Sequence, residues 1–150
     1  LHDALPICAE TAEVVKKSAD SIAVYTAAKL EADEVLTVVG EERRKKDAGF
    51  SYIILRPGGL TDDAATGKVE FGRTKGAGRV PRGDVARVAA EVLGVEGANG
   101  WYDLLEGGEP VEKEVERVVR EGVDSVEGEK IEEMKGALER AIAREKEVKA

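Results

Sequence analysis

The chain has 150 residues, of which 42% are hydrophobic and 36% charged, enough for one soluble domain with its own core. Its 31 acidic residues against 23 basic ones leave a net charge of -8 and argue against nucleic acid as a partner, because phosphate binding needs a basic surface. No apolar run approaches the roughly 20 residues of a membrane helix. A single cysteine, Cys8, excludes an internal disulfide.

The opening residues, Leu1 to Ile7, show no hydrophobic period and no secretory pattern. They read as a frayed end, a truncation or a foreign join, and the organisation expected is a doubtful segment over 1–20, a body over 21–122 and a charged helical tail over 123–150. Ala9 to Lys17 suits helix. A longer helix is predicted from Ser21 to Asp47, with Tyr25, Ala28, Ala32, Val35, Leu36 and Val39 at three-and-four spacing as its buried stripe. The run Glu41 to Lys46 reads as an ion-paired helix end, its basic half suiting the dipole. Read as a nuclear-targeting tract, the same four cations make only a weak match.

Ala48-Gly49 ends this helix, and Phe50 to Leu55 is the clearest strand. Its nearly continuous apolar residues predict a strand covered on both faces, as in a parallel sheet, and Arg56-Pro57-Gly58-Gly59 is expected to stop it. Glycine-rich loop follows to Gly83, with short strands at Lys68–Phe71 and Arg79–Val80. Asp84 to Leu93 is a short helix and Trp101 to Leu105 a strand. A helix from about Pro110 buries Val111, Val115, Val118 and Val119. In the tail, Ile131, Met134, Leu138, Ala141 and Ile142 form a narrow stripe, for packing on the body or for a partner.

Tyr25 and Lys29 are the sharpest chemical pair. Four residues apart on a helix, they share a face, and a lysine beside a phenol stabilises the phenolate and tunes it for proton transfer. A tyrosine at a buried edge beside a snorkelling lysine accounts for the same spacing. Arg73, Lys75, Arg79 and Arg82 form a basic loop that suits a phosphate, an acidic substrate or plain solvent. Arg82-Gly83-Asp84 spells an adhesion tripeptide but reads as a helix start, with Asp84 favouring its first turn. His2 and Cys8 cannot make a zinc site alone.

The series YTAAKLEADEVL, a strand ending LRPGGLTDD, a glycine-punctuated loop, RVPRGDVARVAAEVL and WYDLLEGGEPVEKEVERVV resembles, in order and spacing, the C-terminal half of the atypical short-chain dehydrogenase/reductases. These are the NAD(P)-binding, NmrA-like proteins related to the flavin/biliverdin reductases. The resemblance covers Ser21 to Gly122. It implies an α/β fold, a partial Rossmann sheet with a charged C-terminal helix. It also implies a cytoplasmic oxidoreductase acting on a small molecule with NAD(P). Tyr25 would be its proton donor, Lys29 the tuner and a ribose contact, and Pro57, Gly58, Gly59 and Leu60 the wall beside the nicotinamide. Arg56 opens that stretch.

The departures are as informative. A Gly-x-x-Gly-x-x-Gly phosphate loop is missing: Gly76-Ala-Gly78 has Pro81 where the third glycine would stand. No strand carrying the family's serine precedes Tyr25. Two other expectations therefore stay open: an NAD(P)-sensing regulator without turnover, and a truncated product that binds dinucleotide poorly and exposes the apolar residues Ile53, Ile54 and Leu55.

Overall fold

The computed structural model describes residues 9–74, 76–126 and 130–149, with side chains from residue 20 onward. The order is α1 (Ala9–Arg44), β1 (Ile53–Pro57), β2 (Gly59–Thr61), β3 (Lys68–Gly72), β4 (Arg79–Pro81), α2 (Arg82–Gly94), β5 (Gly100–Glu106), β6 (Glu109–Pro110), α3 (Val111–Glu121) and α4 (Ile131–Val148). The class is the α/β one expected. The sheet runs β1-β5-β3-β6, and β2 pairs with β4 in a separate ribbon. β1 and β5 are parallel, whereas β3 runs antiparallel to β5 and to β6, so the sheet is mixed rather than all parallel.

The alternation of strand side chains divides the core in two. On one face Tyr102 and Leu104 of β5 meet Val69 and Phe71 of β3, Val88 and Val92 of α2, and Val111, Val115 and Val118 of α3. On the other, Ile54 of β1 and Trp101 of β5 meet Val38 of α1 and Met134 of α4. β1 is thus covered on both faces, as its apolar run predicts. Its bounds differ from Phe50–Leu55: Phe50 lies in a turn closed by its N–H on the Asp47 carbonyl, and the Tyr52 N–H is taken by the Asn99 side chain. The strand then runs on through Arg56 to Pro57, which a strand at the edge of a sheet tolerates.

Two helices expected separately form one continuous α1, which ends at Arg44. Its orientation overturns the predicted stripe. Tyr25 is 64% exposed, Leu36 44% and Val39 49%, while Thr37 and Val38 are buried. α4 decides this: Arg140 and Arg144 both bind Glu31, at 3.1 and 2.5 Å, and Met134 and Leu138 pack beside Val38 and Leu30. These contacts turn the more polar face of α1 inward. Of the tail's expected stripe, Met134 is buried and Leu138 packs partly against the body, whereas Ile131 and Ile142 stay exposed and Ala137, outside that stripe, is buried.

Candidate functional site

A cleft of about 390 Å³ opens between α1 and the carboxyl end of β1. One wall is a row on α1, Tyr25, Lys29 and Asp33, each one turn beyond the last. The other is the chain leaving β1, from Leu55 through Arg56, Pro57 and Gly58, with Leu60 nearby. A parallel strand places its carboxyl end at such a crevice in open α/β sheets. The structure therefore brings together Tyr25, Lys29, Pro57, Gly58 and Leu60, and Gly59 lies beside them in the wall of a second cleft of about 350 Å³. That second cleft shares Arg56, Pro57 and Gly58 and is bounded by Thr74, Gly78, Asp103 and Leu105.

Tyr25 stands largely in solvent, and the Lys29 ammonium lies 5.8 Å from its ring centroid, over the face of the ring. Gly58 is glycine for a reason internal to the fold. A Cβ there would stand 2.5 Å from the Gly78 carbonyl oxygen and from Leu105 Cδ2. At Gly59 a Cβ would meet only ordinary contacts, the nearest being Arg79 Cγ at 3.4 Å. Gly59 is thus the less crowded of the two glycines.

Arg56 sits on the divide between the two clefts. Register pairs Arg56 with Asp103 and Ile54 with Trp101, so period two puts all four on the α1 side of the sheet. Arg56 Nε lies 3.9 Å from Asp33 Oδ2 and 3.9 Å from Asp103 Oδ1, and its guanidinium covers the Trp101 ring at 5.1 Å. Burial pushes the Asp33 carboxyl above its usual range, while Arg56 and Lys29 pull it back down. Sequence reasoning passed over Asp33, Asp103 and Trp101. The legible signal was Asp33's place four residues after Lys29.

Tyr25, Lys29 and the Pro57–Gly59 backbone could line the nicotinamide end of a dinucleotide; they include no helix N-terminus for its pyrophosphate. A phosphate seat is usually a helix N-terminus with free N–H groups. α2, α3 and α4 each carry acid in the first turn, at Asp84, at Glu112 and Glu114, and at Glu132 and Glu133. Asp84 also reaches beyond its own helix. Its carboxylate is fully buried and accepts the N–H groups of Thr66 and Gly67, both at 2.8 Å, holding the loop before β3. That burial removes the adhesion reading of Arg82-Gly83-Asp84. In the basic loop, Arg82 pairs with Asp62 at 2.5 Å and Arg73 donates to the Asp124 carbonyl. Lys75 lies outside the described residues, as do His2 and Cys8.

Comparison with known proteins agrees with the resemblance. Residues 4–96 match the NAD(P)H-binding family, and the chain belongs to that family. It is 29% identical over 100 residues to the uncharacterized sugar epimerase YhfK of Bacillus subtilis (strain 168), covering 66% of this chain and 42% of that protein. Among solved structures it is similar to a Bacillus halodurans protein assigned to the NAD-dependent epimerase/dehydratases, at 32% identity and a TM-score of 0.42, over 51% of this chain and 37% of the other. A second similarity is to the oxidoreductase ylbE of Lactococcus lactis, at 20% identity and a TM-score of 0.41, over 53% and 36% of the two chains. The chain thus spans about two fifths of the length of these relatives. Among the described residues no helix is long and apolar enough to cross a membrane.

Proposed function

We propose that the chain forms the nicotinamide-side part of a cytoplasmic NAD(P)-dependent oxidoreductase of the atypical short-chain dehydrogenase/reductase, NmrA-like kind. Its substrate would be a small molecule that interconverts hydroxyl and carbonyl, or a quinone or flavin-like acceptor. The sugar-epimerase name of the Bacillus subtilis relative falls within the first of these chemistries. One observation carries the reading: Tyr25 and Lys29 line the same cleft as Pro57, Gly58 and Leu60, at the carboxyl end of a parallel strand.

When bound, the dinucleotide supplies or accepts the hydride. The Tyr25 hydroxyl gives its proton to the substrate oxygen as that oxygen gains charge, and takes it back in the reverse direction. The Lys29 ammonium, on a flexible stem, swings from the ring face toward the phenol oxygen to stabilise the phenolate, and donates to a ribose hydroxyl. Gly59 leaves room for a ring beside the backbone. Leu30, Leu55 and Leu60 give the cleft an apolar lining that thins the water around the reacting oxygen.

Calorimetric titration with NADPH and NADH tests this, on the 150-residue chain and on a version extended at its amino end. The extended protein is expected to bind, and the 150-residue chain to bind poorly, because its sequence lacks the glycine-rich loop and helix N-terminus that would hold the pyrophosphate. Submicromolar binding by the 150-residue chain would overturn that account. Tyr25→Phe in the extended protein should then keep binding and lose turnover.

The second reading is a dinucleotide-sensing regulator that binds without turning over. The exposed Tyr25 ring, with Lys29 over its face rather than at its hydroxyl, favours it. A sensor would be indifferent to Tyr25→Phe.

A further inference from the structure

The cleft-facing row of α1 has a third member that the proton-transfer reading leaves idle. We propose that Asp33 is a positioning residue, which holds the Arg56 guanidinium over the Trp101 ring and so fixes α1 against the sheet at the level where Lys29 and Tyr25 face the cleft. This rests on the reading of that cleft as the nicotinamide-end site.

Four contacts close a ring that begins and ends on Asp33. Its carboxylate oxygen Oδ2 lies 3.9 Å from Arg56 Nε. The Arg56 guanidinium lies over the Trp101 ring, 5.1 Å from its centroid. The Trp101 indole N–H donates to Thr37 Oγ1 at 2.7 Å. The Thr37 hydroxyl donates to the Asp33 carbonyl oxygen at 2.8 Å. Donors and acceptors alternate without conflict, since the Thr37 hydroxyl spends its proton on the carbonyl and keeps a lone pair for the indole. The ring ties α1, β1 and β5 together directly beneath the cleft.

Arginine is the cation this geometry requires. Its planar, delocalised group can lie on an aromatic face and still present an edge to carboxylates, which a lysine ammonium cannot do. The charged groups facing Asp33 are Lys29 from its own helix and Arg56 from β1, and Asp103 from β5 approaches the same Arg56 Nε. Two cations are set against two carboxylates. Asp33 is the carboxylate that comes from the helix, with 20% of its side chain exposed against 28% for Asp103. Protonating Asp33 therefore loosens Arg56 from α1 while leaving it attached to its cross-strand neighbour.

Trp101 is the chain's single tryptophan, so its fluorescence reports on its own surroundings: the Arg56 and Thr37 contacts, Met134, and Asp124, whose carboxylate accepts the Trp101 backbone N–H at 3.3 Å. Emission of the 150-residue chain is followed from neutral to acid pH, with far-ultraviolet circular dichroism in parallel. The expected result is a step in emission with a midpoint above 3.8, the ordinary aspartate value, while the dichroism still shows a folded protein. Asp33→Asn should remove the step and give, at neutral pH, the emission that the native chain reaches on the acid side. Asp33→Glu should restore the step, and Asp103→Asn should leave it. Should Asp33→Asn fail to fold, Arg56→Gln reads the same contact from its other end and should shift neutral-pH emission the same way. The proposal is wrong if Asp33→Asn leaves the emission and its step unchanged, if Asp103→Asn alone abolishes the step, or if Arg56→Gln leaves Trp101 emission untouched. No dinucleotide enters these measurements, so their failure is distinct from failure of the oxidoreductase reading.

Discussion

The indole Nε1 of Trp101 donates a 2.7 Å hydrogen bond to Thr37 Oγ1, across 64 residues of sequence, with both side chains buried. It joins β5 to α1 at the one polar edge of an otherwise apolar ring. Thr37→Val keeps the shape and removes the acceptor, leaving a buried N–H unpaired at a cost of about 1–3 kcal/mol. We expect a lower urea midpoint with an unchanged slope, and near-native stability for Thr37→Ser. Equal midpoints for the valine and serine variants would mean that the bond contributes nothing.

Two adjacent glycines should respond oppositely to the same methyl group. At Gly58 the new Cβ meets backbone at 2.5 Å, and backbone cannot yield cheaply. Gly58→Ala is therefore expected to destabilise by about 1–3 kcal/mol. At Gly59 the nearest atom is 3.4 Å away in the flexible Arg79 side chain, so Gly59→Ala should stay within about 0.5 kcal/mol. If Gly59 lies beside a nicotinamide ring, that tolerated variant should still weaken NADPH binding in the extended protein. Thermal melts of both variants, with one binding titration, decide the matter.

The turned face of α1 is open to the same treatment. Leu36→Gln and Val39→Gln remove apolar surface that is nearly half exposed, and each should change stability by less than about 0.5 kcal/mol. Met134→Ala empties a fully buried position between α4 and Trp101 and should cost about 2–5 kcal/mol. Denaturant melts with the order reversed would show that Leu36 and Val39 face the core after all.

Stability should fall at both ends of the pH scale for identifiable reasons. Burial, and then the nearby Glu41 carboxylate, push the Tyr52 hydroxyl from 10.0 up to about 12. Burial raises Tyr102 as well. For an acid whose folded value is raised, the contribution is complete below the unfolded value and disappears as pH climbs through the folded one. Tyr52 should therefore weaken the fold between about pH 10 and 12, and Tyr52→Phe should flatten that limb. Glu114 is displaced the other way, first by its hydrogen bond from Arg117. Its contribution is complete above 4.5 and is lost as pH falls through its lowered value, so Glu114→Gln should flatten the acid limb. Urea midpoints across pH that show the same slopes in native and variant chains would contradict these assignments.

Much of the element order was legible because it depends on local signals. Val111, Val115 and Val118 at helical spacing, and the apolar run of β1 with its two covered faces, need nothing beyond period and burial. The pair Tyr25 and Lys29 was likewise visible, since a helix brings residues four apart to one face wherever it sits. The same rule gave no way to choose between the two faces of α1. Its apolar stripe and its polar face are both periodic, and Glu31's partners Arg140 and Arg144 lie more than a hundred residues further along.

The sequence by itself determined the α/β class, most of the helices and strands, and the shared helix face of Tyr25 and Lys29, because these follow from backbone preference and side-chain period. Only the tertiary structure decided which face of α1 is buried, that Arg56 lies on Trp101 between Asp33 and Asp103, that Asp84 holds the Thr66–Gly67 loop, and that Gly58 yields its space to Gly78 and Leu105. Each of these joins residues from 17 up to more than a hundred positions apart. No local pattern encodes such a contact; it exists only once the sheet and its two helical layers have packed.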